Sequence, residues 1–335
     1  MNRMKILVTD KIGNSGLALL RQHADVQEAY GLKGDALKAA IANADGLMVR
    51  SGTQVTADVL QASTRLKVVA RAGSGVDNVD VPEATRRGVL VVNAPGGNAV
   101  SAAELTIALL MACIRKVPQA NASLKAGEWK RESFKGMEIG GKTVGLVGLG
   151  AVGKVVARIL NGFGARVLAY DPFVTDEQAD CMSVQKVDLN LLLRQSDIVS
   201  VHVPLNDATR NLIGSAAFGT MKTGVVLLNA ARGGVVDESS LFLALQSGKV
   251  AAAGLDVFDQ EPVVAGSIAA ALIACDNVVA TPHLGALTHD AQEKVAVQAA
   301  EQMVLALQGK QPQYAVNQPA RNEAPAAIVT TAPVQ

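Results

Sequence analysis

The chain has 335 residues, of which 49% are hydrophobic, 18% charged and 3% aromatic. That length exceeds the usual size of one core, so two domains are expected, and the composition is that of a globular α/β protein rather than a disordered or fibrous one. A formal net charge of +1 sets up no long-range field to attract nucleic acid or an anionic membrane, so any anionic ligand has to be caught by local groups.

The opening MNRMKILVTD enters a strand-like run with no basic region and apolar core ahead of it, and reads as the mature start of a cytoplasmic protein. β-Branched runs KILVTD, GLMVR, LKVVAR and VLVVNA then alternate with helical stretches such as SGLALLRQH and VPEATRRG, the rhythm of βαβ units and a parallel sheet. After Pro95-Gly96-Gly97, Ser101 and Glu104 stand at capping-box spacing and predict a helix start there, where the chain crosses into its second domain. The apolar stretch Val100 to Ile114 is too short to span a bilayer and carries Glu104, so a buried helix is expected. A second series, TVGLVG, ARVLAYD, DIVSVHV, VVLLNA, AAGLDV and NVVATP, predicts another doubly wound sheet over 98–285. An amphipathic helix from about Thr288 to Gly309, within 286–316, carries the chain back to the first domain. The fold expected is therefore two parallel-sheet α/β domains, a Rossmann-type dinucleotide domain inserted into a flavodoxin-like substrate domain whose first part is 1–97. Residues 317–335, rich in Ala, Pro, Thr and Gln, read as a flexible tail. Cys113, Cys181 and Cys275 lack the spacing of a disulfide framework or a zinc site, so no metal is expected and a reducing compartment fits.

Gly148-Leu149-Gly150-Ala151-Val152-Gly153 follows the strand TVGLV and opens the helical stretch KVVARIL. In such a loop the first glycine makes the tight turn, the second admits a pyrophosphate to the backbone, and the third lets helix and strand pack closely. Free N–H groups at the helix start then face the phosphates. The next strand ends in Asp171, roughly twenty residues on, where an acid accepts hydrogen bonds from the adenosine ribose. Its carboxylate opposes a 2′-phosphate and no Arg follows it at once, so NAD is favoured over NADP. The other glycine-rich strand end, Arg71-Ala72-Gly73-Ser74-Gly75, lacks the third glycine and suits a carboxylate better.

Hydride transfer from an alcohol carbon needs a base for the hydroxyl proton and a cation for a neighbouring carboxylate. Ligands of open α/β sheets bind beyond the carboxyl ends of the strands, and there stand Arg232 after VVLLNAA, Glu261 after AAGLDV and His283 after NVVATP. Read singly, each has an ordinary alternative as a salt-bridge residue, a turn acid or a loop histidine. Together they pair a histidine whose cation a carboxylate favours with a guanidinium that forks onto a substrate carboxylate. His23, His202 and His289 lack the strand-end setting followed by Leu-Gly and read as structural.

The segments RAGSGVDNVD, VGLVGLGAVG, NAARGGVVDE, GLDVFDQEP and TPHLGA, in that order over about 5–315, resemble the D-isomer-specific 2-hydroxyacid dehydrogenase family. The resemblance implies that Arg232 binds the substrate carboxylate, Glu261 orients the histidine and His283 is the acid/base. It implies NAD contacts at Ser74, Val203, Ala230 and Asp256 besides Gly148, Gly150, Ala151, Val152, Gly153 and Asp171, extending to Ala231, Arg232, His283, Gly285 and Ala286. Many family members place Arg or Gln where Ala151 stands, so this chain leans more on backbone donors at the pyrophosphate.

LMVRSGTQVTADVL, GGNAVSAAELT and VPQANASLKAGEWKRESFKG look like the branch of the family that acts on 3-phosphoglycerate at the entry to serine synthesis. Arg50 and Ser51, at the end of the strand GLMV, are then candidates for the phosphate, with Asn98 and Arg131 completing the cradle and Arg71, Gly73, Ser74 and Gly75 lining the substrate. A glyoxylate or hydroxypyruvate reductase, another D-2-hydroxyacid dehydrogenase and an NAD-sensing binding protein are the other readings. No serine-sensing extension follows the last helix, so feedback by serine is not expected. The helices over Ser101–Lys125 resemble the family's dimer arm and imply a homodimer or higher homo-oligomer; no nucleic-acid or membrane partner is expected.

Overall fold

A computed structural model describes residues 3–319, which divide into two compact units, 3–97 with 289–319 and 98–288. The first crossing falls at Gly97/Asn98, and the second after Thr288, three residues beyond the expected 285. Within the second unit the hydroxyls of Ser101 and Thr288 are 2.7 Å apart.

The first unit holds a five-stranded parallel sheet in the order β2-β1-β3-β4-β5, with β1 Lys5–Val8, β2 Asp25–Glu28, β3 Gly46–Val49, β4 Val68–Arg71 and β5 Leu90–Val92. Helices α1 Asn14–His23 and α13 His289–Leu307 pack together on one face, where Leu17, Leu20, Val295, Ala296 and Met303 are buried with Ile6 and Val8. Strand β2 went unseen in the sequence because Asp25-Val26-Gln27-Glu28 has no alternation to read. It is an exposed edge strand held by backbone pairing to β1.

The second unit carries seven parallel strands in the order β12-β11-β10-β9-β6-β7-β8. They are β6 Thr143–Val147, β7 Arg166–Tyr170, β8 Gln185–Lys186, β9 Ile198–Val201, β10 Val225–Asn229, β11 Val250–Leu255 and β12 Val278–Ala280. Every residue of β9 and β10 is buried, as a central parallel strand covered on both faces requires. Helix α5, Ala99–Arg115, is buried along Ala103, Leu110 and Cys113, and α6, Val117–Lys125, contributes no buried side chain.

Two local expectations are corrected. Helix α5 begins two residues before Ser101, behind Asn98, so the Ser101/Glu104 capping box does not form and the Ser101 hydroxyl is used on Thr288 instead. The tail does not begin at 317. Asn317 accepts the Val91 N–H at 2.7 Å and donates to Val89 O and Thr85 Oγ1, fixing 314–317 along the edge of β5. The remainder of the expected tail, 320–335, lies outside the described residues.

Candidate active site

Because the strands of the second unit are parallel, their carboxyl ends share one edge, and three neighbouring strands deliver the expected triad there. Strand β10 ends in Asn229, whose side chain folds the following turn: its Oδ1 accepts the Ala231 N–H at 3.1 Å and its Nδ2 donates to Arg232 O at 2.9 Å. Arg232 donates from Nη1 to Ala231 O at 2.6 Å. A side chain at Gly233 would lie 1.9 Å from Phe258 O, so this turn packs directly on the loop after β11.

That second loop carries Glu261. Its Oε1 accepts the Phe258 N–H at 3.0 Å, and its Oε2 lies 2.6 Å from His283 Nδ1. Since an ionised carboxylate is acceptor only, Nδ1 carries the hydrogen, and the neutral imidazole keeps its lone pair on Nε2. The bond to Glu261 raises the His283 pKa above its ordinary value, against burial and the nearby Arg232 charge. Burial opposes ionisation of Glu261, but the bonds from His283 and Phe258 outweigh it and hold its pKa below the ordinary carboxylate range.

Asp256, expected as a cofactor contact, also shapes the loop that carries His283. Its carboxylate is engaged within the protein: the residue is 1% exposed, and it accepts from Thr281 Oγ1 at 2.6 Å, Leu284 N at 2.7 Å and Gly285 N at 2.8 Å. These bonds, with the His283 N–H donated to Asp256 O at 2.9 Å, hold His283 at φ 55°, a left-handed conformation that a side chain adopts only when its surroundings impose it. Glu238, at the start of helix α11, Glu238–Gln246, accepts the Asp259 N–H at 2.8 Å and fixes the Glu261 loop from the other side.

The glycine loop occupies the ends of β6 and β9, where the strand order reverses. Gly148 has φ 103°, and a side chain there would lie 2.7 Å from His202 O; one at Gly153 would lie 2.4 Å from Gly148 O. A side chain at Gly150 would meet nothing within 4 Å. The three glycines thus divide as the loop chemistry requires, two for protein packing and one for space. Helix α7, Ala151–Gly162, starts behind Gly150 with no side-chain cap. Asp171 directly follows β7 and accepts Leu149 N at 2.8 Å and Phe173 N at 2.9 Å, which ties the acid to the loop. His202 is structural: Ser200 Oγ is 2.9 Å from its Nε2, and burial pushes its pKa down to about 4.

Residues 107–285 match the profile described as "D-isomer specific 2-hydroxyacid dehydrogenase, NAD binding domain". The chain belongs to the D-isomer specific 2-hydroxyacid dehydrogenase family. Family members named D-3-phosphoglycerate dehydrogenase include that of Methanocaldococcus jannaschii, 44% identical over 317 residues, which are 94% of this chain and 60% of that protein. That of Mycobacterium tuberculosis is 48% identical over 312 residues, 93% of this chain and 58% of that one. The chain therefore spans about 60% of the length of these curated relatives. Among solved structures, the TT0316 protein of Thermus thermophilus is similar with TM-score 0.85 and 34% identity, covering 94% of this chain and 100% of that one. The apo D-lactate dehydrogenase of Escherichia coli is similar with TM-score 0.81 and 28% identity, covering 94% and 100%.

NAD is the cofactor of this family's domain, and the loop fits it: space at Gly150, uncapped N–H groups at the start of α7 and Asp171 at the next strand end are what a pyrophosphate and ribose need. Ala151 and Val152 open helix α7, Val203 lies on the loop after β9, Ala230 and Ala231 follow β10, and Gly285 and Ala286 follow His283. Arg131 is exposed on a 3₁₀ turn, Arg131–Phe134, and Asn98 precedes α5.

The remaining candidates belong to the first unit. Arg50 and Ser51 follow β3, and burial holds the Arg50 pKa below its ordinary value while the Asp10 charge offsets part of that effect. Arg71 ends β4 with its guanidinium folded over Gly73, where a side chain would come within 1.8 Å of Nη1. Asn93 Nδ2 donates to Ser74 O at 2.6 Å and holds the Ser74-Gly75 turn. The positioning residues Asn229, Glu238 and Asp256 all fall inside segments that carry the family resemblance, but their partners are distant in sequence, so only the structure shows what they hold.

Proposed function

We propose that this family member oxidises the C2 alcohol of 3-phospho-D-glycerate to 3-phosphohydroxypyruvate, and reduces the 2-oxo acid in the reverse direction. The observation that carries the reading is the Nδ1 bond between His283 and Glu261, which leaves Nε2 as the atom that takes the hydroxyl proton. NAD, when bound, supplies the acceptor for the C2 hydride. Arg232 forks onto the substrate carboxylate and orients C2, while Glu261 favours the imidazolium that proton uptake creates. The names of the relatives at 44–48% identity support the phosphorylated substrate, and Arg50, Ser51, Asn98 and Arg131 are proposed to read the phosphate. The enzyme is proposed to work in the cytoplasm as a homodimer.

The test measures NADH formation on a panel of D-2-hydroxy acids. Wild-type enzyme is expected to prefer 3-phosphoglycerate to D-glycerate, which offers the same alcohol and carboxylate. Loss of a partly hydrated charge pair costs about 2 kcal/mol, roughly thirtyfold, so Arg50→Ala is expected to lower kcat/KM for 3-phosphoglycerate by about that factor and D-glycerate far less. Arg232→Ala is expected to damage both. An enzyme indifferent to the phosphate defeats the 3-phosphoglycerate reading in favour of a glyoxylate or hydroxypyruvate reductase, and no turnover on any acid favours an NAD-sensing binding protein.

A further inference from the structure

In the first unit the strand order reverses between β1 and β3, and the ligand end of an open α/β sheet lies at such a reversal. Here the two strand ends are laced together. Asp10, two residues beyond β1, accepts the Arg50 N–H at 2.6 Å and the Thr53 N–H at 3.1 Å on one oxygen, Oδ2. Its other oxygen lies where a side chain at Gly52 would sit, 2.7 Å from that Cβ position, so the loop has a glycine where the acid nests. From the opposite side Asn78 donates from Nδ2 to Arg50 O at 2.7 Å and to Thr53 O at 2.6 Å, and its own carbonyl accepts the Val55 N–H at 2.8 Å. Beneath the loop, Thr53 Oγ1 donates to Thr9 Oγ1 at 2.9 Å among buried neighbours. Thr53 is buried by this lacing, while Ser51 and Gly52 remain exposed.

So many bonds on four residues exceed what a surface turn needs. We infer that Asp10 and Asn78 are positioning residues that hold the Arg50–Thr53 loop as a rigid receptor for the substrate's phosphate, and so set the preference for a phosphorylated over an unphosphorylated 2-hydroxy acid. This rests on the reading of Arg50 as the phosphate-binding residue. The acid does not repel the phosphate it serves: Oδ2 is occupied by two N–H groups, and the Arg50 charge acts on the same carboxylate. Order in the free loop is what makes the contact selective, because a loop with a floppy backbone has its ordering entropy to lose on each binding event.

The experiment compares 3-phosphoglycerate with D-glycerate in Asp10→Ala, Asp10→Asn, Asn78→Asp and Arg50→Ala, with NADH affinity by fluorescence titration and melting temperature as checks of folding. The amide of Asp10→Asn can still turn its carbonyl oxygen to both N–H groups, whereas Asn78→Asp sets a carboxylate against two carbonyls. The expected result is that Asp10→Ala and Asn78→Asp shrink the preference for 3-phosphoglycerate by about tenfold, the size of one lost hydrogen bond that leaves its partner unsatisfied. The loss appears in KM rather than kcat, and Asp10→Asn restores the preference to within about twofold. The isosteric Asn78→Asp stands in if Asp10→Ala does not fold. Folded Asp10→Ala or Asn78→Asp enzyme with the wild-type preference, or with kcat lost equally on both substrates, overturns the inference while an Arg50→Ala loss leaves the phosphate reading standing. An Arg50→Ala enzyme with undiminished preference removes that reading, and the inference with it.

Discussion

His283 is held by its neighbours at three points: Nδ1 on Glu261, N–H on Asp256 O, and a left-handed φ imposed by the loop that Asp256 ties. General acid–base catalysis contributes about 10²–10⁴-fold, so His283→Ala is expected to lower kcat by that range while NADH affinity measured by fluorescence stays near wild type. Glu261→Gln keeps a hydrogen-bond acceptor at Nδ1 but removes the charge that raises the His283 pKa. In the proposed alcohol oxidation the base starts as neutral His283, so the acid limb of kcat/KM is expected to move to lower pH; a limb that stays put or moves to higher pH breaks the pairing. Asp171→Ala is expected to raise KM for NAD and to narrow the preference over NADP, because an acid at this strand end is proposed to accept ribose hydrogen bonds and to oppose a 2′-phosphate. A wild-type enzyme that already uses both cofactors equally refutes that role. At this scale the strand-end placement of Arg232, Glu261 and His283 was legible, because each follows an apolar run that forms a strand. The buried commitment of Asp256 was not: nothing in GLDVFDQEP reveals that its carboxylate is spent on Thr281, Leu284 and Gly285.

Elements follow the same division between what repeats locally and what depends on distant partners. Strands β6, β9 and β10 are apolar along most of their length and stood out in the sequence, whereas β2 is polar and exists through its pairing with β1. The Ser101/Glu104 spacing suggested a helix start that the chain makes two residues earlier, because Ser101 finds Thr288 across the fold. The glycine loop was legible to the residue, and its three glycines now carry separable expectations. A methyl added at Gly150 meets no protein atom within 4 Å, so Gly150→Ala is expected to keep the wild-type melting temperature within a few degrees while weakening NAD binding at least about tenfold, since its methyl enters the pyrophosphate's space. A methyl added at Gly153 is forced to 2.4 Å from Gly148 O, so Gly153→Ala is expected to lower the melting temperature as overpacking does, by about 1–3 kcal/mol of stability. Scanning calorimetry beside an NADH titration separates the two; equal loss of stability in both variants contradicts the assignment of Gly150 to the ligand.

For the whole molecule, the decisive surface is the one the chain leaves uncovered. Helix α6 buries none of its side chains, and Val117, Leu124 and Trp129 are 53%, 59% and 79% exposed. Large apolar groups grouped on one short segment mark an interaction surface more often than scattered ones do, and a closed homodimer presents the same patch twice. Trp129 is the only tryptophan in the chain, so its fluorescence reports this segment without interference. If a second copy covers α6 and the segment after it, the emission of the concentrated protein is expected to lie to the blue of a solvated indole and to move red on dilution, in step with a fall from dimer to monomer mass by sedimentation. Leu124→Glu, which places a charge where an apolar contact is desolvated, is expected to give monomer mass and red emission at every concentration. The mutant keeps the strand-end triad and the glycine loop intact, so its NADH affinity is expected to remain within about threefold of wild type, below the tenfold that about 1.4 kcal/mol represents. Wild-type protein that sediments as a monomer with fully solvated emission at high concentration removes the dimer, and a dimer whose Trp129 emission is red at every dilution places its interface elsewhere on the chain.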